Sequence, residues 1–415
     1  MISLPKYRYR FVILAVSMFA TFAGFIPTTS YSVAIPAFIT EFGVTLETAS
    51  LGYTLLAFGT TVGAGIGGPL TARLGLKKVY ATAVFLVVVP QFFMPISSFE
   101  MILVLRFIQG LGILLYLPAL IVISNAWFSA KEVGIVTGAW IGAQSFGSAI
   151  GGLLSGILFP DLGWRITFYY LGILSLVLIV IWLFLAKMPP KLMADGGSHN
   201  KNKPRKVKEE RFDVFKMKAT WLNSLAIIGF TWPIYALMFH LPAYGYFLGF
   251  SPMQVGELTF YMAVAGFIAA PIGGTVTGIL TAKTGALKIG CGISSIIGTS
   301  IAIIGVILLP IIGPLSYGYF AIAALMAGMI WWTDTCVYTL PHAIYSKEKL
   351  VLGSGVVNFF GNITNGVAPL IMLVVVASLG WMMGWYLSAA VMSFGILFFI
   401  PFFRFPRLHQ KNFSH

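Results

Sequence analysis

Two formally charged residues lie well inside apolar runs of the chain, Arg106 and Asp334. A guanidinium at such a depth can grip a carboxylate through two parallel hydrogen bonds, and Gln109 and Gly110 follow Arg106 on the same helical face. The alternative use of that arginine is structural, as a tie or gate between helices. A carboxyl at such a depth can take up and release a proton, and Asp334 is flanked by Thr333 and Thr335. Its alternative is a hydrogen-bonded group between helices. His240 adds a ring that can titrate near neutral pH, although a lone histidine in an apolar run is more often a packing residue. Proton coupling is therefore expected at Asp334, with His240 as the second candidate.

Uncharged polar side chains recur at helical spacing in the same runs. Ser17, Thr21, Gly24, Thr28 and Tyr31 share one stripe around Pro27, and Thr137, Trp140, Gln144 and Ser148 share another. Thr231, Trp232, Tyr235 and His240 surround Pro233, while Trp331, Asp334 and Tyr338 follow in a later run. Asn358, Asn362 and Asn365 stand at i, i+4 and i+7. Three amides facing hydrocarbon would lack partners, so this stripe faces either a wetted cavity or neighbouring helices, where asparagine bonds across. The candidate substrate-binding set is Thr28, Tyr31, Arg106, Trp140, Gln144, Trp232, Tyr235, Trp331, Asn358, Asn362 and Asn365. Such amides, hydroxyls and aromatics suit a small polar organic solute, an anion or zwitterion with an apolar portion.

Other chemistry is absent from the sequence. It contains no glycine-rich phosphate loop after a strand, no metal-ligand spacing and no Ser or Cys nucleophile with an acid–base partner. An enzyme and an ATP-driven pump are both disfavoured, and no cofactor or metal is expected. Cys291 and Cys336 both sit in apolar runs and supply no disulfide framework.

The elements that must position these groups follow from composition. The 415 residues are 58% hydrophobic and 9% charged, against about 25% charged in a soluble domain, and mean hydropathy is +0.92. The bilayer is the solvent. Apolar runs of spanning length fall at about 11–36, 48–71, 78–97, 100–127, 133–158, 165–187, 219–247, 254–281, 286–309, 316–343, 351–378 and 382–404, twelve in all. They are continuous rather than alternating, which predicts helices and not a β-barrel. The formal charge of +14 comes from 26 Lys and Arg against 12 Asp and Glu. With both termini in the cytoplasm, every basic residue except Arg106 and Arg165 falls on the inner side, as orientation by loop charge requires. A multi-pass, monomeric protein of the cell membrane is expected. Contact with anionic lipid accounts for the charge without a nucleic-acid partner.

Residues 188–218 carry Pro189, Pro190, Gly196, Gly197 and a basic run from Lys201 to Lys208, a composition that cannot bury apolar area. This linker divides the chain into a six-helix bundle at 1–187 and a second at 219–404, with a tail at 405–415. The halves share a loop: Gly68, Arg73, Gly75 and Lys78 recur as Gly278, Lys283, Gly285 and Lys288, at a constant offset of 210 residues. These eight residues are candidate gating positions.

The repeated loop resembles the signature G-x-x-x-D-R-x-G-R-K of the major facilitator superfamily, with Ala72 and Ala282 where that family has Asp. Arg106-Phe-Ile-Gln109-Gly110 is similar to its fourth-span R-x-x-Q-G motif, and Gly163-Trp164-Arg165 to the start of its sixth span. Gly147 to Gly152 is similar to the antiporter motif G-P-x-x-G-G, with Ser148 replacing Pro; such small residues also serve close helix packing. The resemblance implies an all-α polytopic membrane protein of twelve helices in two pseudo-symmetric six-helix bundles. It implies a secondary transporter working by alternating access, whose substrate is a small molecule moved down its own gradient or one linked to protons. The alternatives are an efflux antiporter for amphipathic compounds and, in another class, a non-transporting receptor or lipid-translocating protein on the same fold.

Overall fold

The computed structural model describes residues 4–115, 120, 127–128, 132–185 and 213–401. Most of the linker expected at 188–218, and the tail at 405–415, lie outside the described residues. Helices dominate the rest: α1 Leu4–Phe42, α2 Leu46–Leu74, α3 Leu76–Phe93, α4 Phe99–Leu115 and α5 Val133–Leu185 in the first half. The second half contains α6 Lys218–Phe247, α7 Pro252–Thr284, α8 Leu287–Ile312, α9 Tyr317–Gly328, α10 Ile330–Thr339, α11 Pro341–Ile344, α12 Lys347–Gly361 and α13 Thr364–Leu397. Apolar side chains such as Phe85, Val374 and Phe394 are exposed on the outside, as befits a surface whose solvent is hydrocarbon.

Nine stretches among the described residues are helical, long and apolar enough to cross a membrane. The twelve expected runs are not resolved as twelve separate helices. The runs expected at 133–158 and 165–187 form one element, α5, turned at Gly163 with φ +72°. Those expected at 351–378 and 382–404 merge in the same way through Gly380 with φ +85°. Only glycine adopts this backbone without a Cβ clash. Both turns read Gly-Trp, Gly163-Trp164 and Gly380-Trp381, a second internal repeat that the sequence reading missed. The run expected at 100–127 begins as α4 and passes into residues outside the description.

Two other expected spans are interrupted. The run at 316–343 breaks at Met329 and again before Pro341. The run at 351–378 breaks at Asn362–Ile363, between α12 and α13. Irregular backbone at membrane depth survives only where protein or a cavity satisfies it, and here side chains do so. Asn362 donates its amide to the Asn358 carbonyl at 2.8 Å, and Thr61 of α2 donates to the Asn362 carbonyl at 2.7 Å. Pro27 lacks the N–H that would bond Ala23, and Ser175 donates to the Ala23 carbonyl at 3.0 Å instead.

The repeated loop places a positive-φ glycine at the helix end in both halves, with ψ 154° at Gly75 and 12° at Gly285. Gly75 ends α2 with φ +80° and donates to Thr71. Gly285 ends α7 with φ +66° and donates to Thr281. Thr71 and Thr281 each bond the carbonyl one turn back, at 2.7 Å in both cases. Arg73, Lys78 and Lys283 are exposed beside these turns and mark what is here called the basic end. Gly68 and Gly278 lie within α2 and α7, and Lys288 is half-buried in α8. Glu41, paired with Arg165 and accepting from Trp164 at 2.7 Å, marks the opposite end.

Within the first half α1 packs on α5 and α2 on α4; within the second α6 packs on α13 and α7 on α8. The halves meet along α5 with α7, and along α2 with α12 and α13. Glycine makes these seams close. A Cβ at Gly138 would lie 2.6 Å from the Ala270 carbonyl oxygen, at Gly142 3.0 Å from that of Phe267, and at Gly134 3.3 Å from that of Gly274. Gly147 and Gly151, of the antiporter-like segment, instead press on the α1 backbone at Phe22 and Ile26. Their small size serves packing within one half.

Candidate functional site: a closed central cavity

The seams enclose a central cavity of about 30 Å³, room for roughly two waters at ~10–15 Å³ each. Thr28 of α1, Thr60 of α2, Gln144 of α5, Thr231 and Tyr235 of α6, Trp331, Asp334 and Tyr338 of α10, and Asn362 at the α12–α13 break supply its polar lining. Phe25, Leu56, Ile113, Leu114, Phe230, Ile234, Met238 and Phe239 supply the apolar part. The breaks around α10 and at Asn362 carry Asp334 and the amide to the wall. A helix interrupted at mid-depth, with polar groups at the interruption, is where membrane carriers bind solutes and ions.

Aromatic contacts close the cavity on both sides. Tyr53 of α2 stacks on Phe239 of α6 with centroids 4.2 Å apart. Towards the basic end, Trp140 of α5 approaches Tyr338 at 6.2 Å, and Phe230 meets the Tyr338 ring edge-on at 6.2 Å. Hydrogen bonds cross the seams at mid-depth: Ser145 donates to the Ala263 carbonyl at 2.6 Å, and Asn365 to Thr60 at 3.3 Å. Among the described residues these contacts narrow the cavity on both sides.

Among the described residues, Asp334 is the one charged side chain of the lining. Among the described residues no hydrogen bond or ion pair reaches its carboxyl group, although the residue is 4% exposed. Its hydroxyl neighbours on the sequence turn away, Thr333 to Thr299 at 2.8 Å and Thr335 to the Ala270 carbonyl at 3.0 Å. The carboxyl therefore faces the cavity and whatever fills it.

Six of the expected residues border this cavity: Thr28, Gln144, Tyr235, Trp331, Asp334 and Asn362. Seven do not. Arg106 is buried among α1, α2 and α4, donating to the carbonyls of Pro27 at 3.3 Å, Thr28 at 3.3 Å and Gly52 at 3.4 Å, and to Gln109 at 2.7 Å. Its guanidinium lies 4.5 Å over the Tyr31 ring, and Tyr31 donates to the Ala49 carbonyl at 2.8 Å. Trp232 points into the second half, towards Ser388 at 3.3 Å. His240 meets the Pro369 carbonyl at 3.0 Å. Trp140 is buried beside the Tyr338 ring rather than on the cavity wall. Asn358 bonds the Ser354 carbonyl at 2.8 Å, and Asn365 reaches Thr60 and, at 3.1 Å, Asn362. Of the three amides only Asn362 borders the cavity, and the other two link to its side chain, Asn365 at 3.1 Å and Asn358 at 3.5 Å. Thr60 escaped the sequence reading, although the pair Thr60-Thr61 inside an apolar run was a visible signal.

Comparison with known proteins adds a family to this geometry. Residues 17–340 match the family described as Major Facilitator Superfamily. The chain belongs to the major facilitator superfamily. Among curated relatives, it is 27% identical to the "Probable galactarate/D-glucarate transporter GudP" of Escherichia coli (strain K12), over 81% of this chain and 80% of that protein. It is 22% identical to the "Probable sulfoacetate transporter SauU" of Cupriavidus necator, over 94% and 93% of the two chains. It is also 22% identical to human "Sialin", over 81% and 71%. As a superfamily member with several spanning helices, it is a multi-pass membrane protein of a transporter family, a class distinct from enzymes.

Proposed function

We propose that this protein is a carrier of small organic anions that works by alternating access and couples their movement to protons through Asp334. The observation that carries the reading is the small cavity between the two halves, in which Asp334 is, among the described residues, the one charged group and has no bonding partner. Relatives named for galactarate, D-glucarate and sulfoacetate support the anionic class. An anionic substrate and an ionised Asp334 conflict. At about 4 Å and an effective dielectric of about 20, two like charges repel by ~4 kcal/mol, close to a thousandfold in affinity. A protonated Asp334 removes the repulsion and offers a donor, so the anion and the proton enter together.

The remaining groups divide the work by chemistry. Thr28, Thr60, Gln144, Tyr235, Tyr338 and Asn362 donate to carboxylate and hydroxyl oxygens, and Trp331 with Phe230 covers carbon. Arg106 acts as a positioning residue, holding the α1 wall at Thr28. Because the cavity holds only water as closed, the two halves must separate for substrate to enter. Rocking about the seams exposes the site to one side at a time. The protein lies in the cell membrane as a monomer, its basic end and both termini in the cytoplasm, where the positive-inside rule puts such loops.

Proteoliposomes test this with a panel of galactarate, D-glucarate, sulfoacetate and 4-hydroxybenzoate, the last from a relative named as a transporter of that acid. The expected result is accumulation driven by a pH gradient and abolished in Asp334→Asn, with exchange at equal pH retained. Gradient-driven accumulation by Asp334→Asn at the wild-type rate would refute the proton role.

A further inference from the structure

A second polar run leaves the cavity and heads for the basic end inside the second half, away from the seams. On α12, Ser354, Asn358 and Gly361 share a face at i, i+4 and i+7, and Gly361 packs on Ile227 of α6. On α6, Thr220, Asn223 and Ile227 share a stripe at i, i+3 and i+7. Thr220 accepts from the Tyr345 hydroxyl at 2.7 Å, and the Tyr345 ring lies against Gly353 of α12. Asn223 and Ser354 are thereby held on opposed faces between these two contacts.

Among the described residues, neither side chain finds a protein partner. Both amide atoms of Asn223 and the Ser354 hydroxyl are buried without a hydrogen-bond partner, in residues 0% and 2% exposed. A buried polar group left unmatched costs about 1–3 kcal/mol, and native proteins meet that need with internal water. Among the described residues, a Cβ at the buried Gly355, next to Ser354 in the chain, would meet no neighbouring atom within 4 Å. Gly355 shares its face with Asn358 and Asn362 at i, i+3 and i+7. The run ends at Asn362, whose amide lies 3.5 Å from both the Tyr338 hydroxyl and the Asn358 side-chain oxygen, on the wall that also holds Asp334.

We propose that Asn223, Ser354 and Asn358 line a file of waters inside the second half, through which Asp334 exchanges its proton with the solution at the basic end while the seams stay closed. The inference rests on the proton role of Asp334 and adds the route. Protons pass along hydrogen-bonded water in a channel that no organic anion can enter, so proton release need not open the substrate path. The titratable groups near Asp334 are Tyr235 of α6, and Cys336 and Tyr338 of its own helix. The cavity residues from α1, α2, α4 and α5 carry no charge.

The test uses proteoliposomes of the full chain and the fastest-transported anion of the panel above. The double variant Asn223→Leu, Ser354→Ala removes the polar lining at nearly constant volume. Gradient-driven uptake is expected to fall about tenfold, while exchange of labelled for unlabelled anion at equal pH stays within about twofold. Asn223→Ser, which replaces the amide with a smaller polar hydroxyl and frees space for water, is expected to retain gradient-driven uptake. Equal loss of uptake and exchange in the double variant would assign these residues to packing and overturn the proposal. So would wild-type gradient-driven uptake in the double variant alongside its loss in Asp334→Asn, which leaves the Asp334 reading intact. Wild-type behaviour of Asp334→Asn would remove both.

Discussion

Arg106 carries a full charge into the first half, and among the described residues no carboxylate reaches it. Carbonyl dipoles, the Gln109 side chain and the face of Tyr31 share the task of stabilising it. Removing the guanidinium strands at least one buried acceptor, at about 1–3 kcal/mol, and unties three helices. Arg106→Leu is therefore expected to lower thermal stability in detergent clearly, with Arg106→Lys intermediate because an ammonium lacks the planar fork. A rise in KM at unchanged stability would instead mean direct contact with substrate. Depth in the membrane was legible for both Arg106 and Asp334 from the apolar residues around them. Direction was not: Arg106 turns into its own half and Asp334 towards the cavity, because the neighbours that decide this come from distant parts of the chain.

At the scale of elements, glycine does two separable jobs that substitution can tell apart. Gly285 holds φ +66° at the end of α7, whereas Gly278 is helical and faces open space. Gly285→Ala should destabilise by about 1–2 kcal/mol, the cost of left-handed backbone for an L-residue. Gly278→Ala should stabilise by roughly 0.5–1 kcal/mol. Chemical or thermal unfolding of the two variants checks the contrast. Gly138 serves contact instead. Gly138→Val forces α5 from the Ala270 carbonyl and should hold the seam ajar, abolishing transport while leaving the protein folded. Loss of transport together with weakened anion binding, at unchanged helical content, is the expected pattern. The helix breaks were the least legible elements, since Gly361-Asn362 and Gly328-Met329 sit in runs apolar enough to pass for unbroken spans. At the Asn362 break the freed carbonyl accepts from Thr61 of α2, a partner that only folding supplies.

For the whole molecule, binding and closure are one equilibrium. A panel anion at a hundred times its dissociation constant should raise folded-state stability by about 2.7 kcal/mol, read as a shift in thermal unfolding. The shift should vanish when Thr60→Val and Asn362→Leu remove donors from both halves. Composition and the Lys/Arg pattern are sufficient to establish a helical membrane protein, because the cost of burying charge in hydrocarbon leaves few other arrangements. The 210-residue repeat adds duplication, since a left-handed turn needs glycine in both copies. Tertiary packing decided which polar stripes meet: Thr28, Tyr235, Asp334 and Asn362 converge on one cavity while Trp232 and His240 turn inward. Helical periodicity sets which face of a helix is polar, but the partner that face meets depends on how helices from both halves cross, and that is set by contacts hundreds of residues apart.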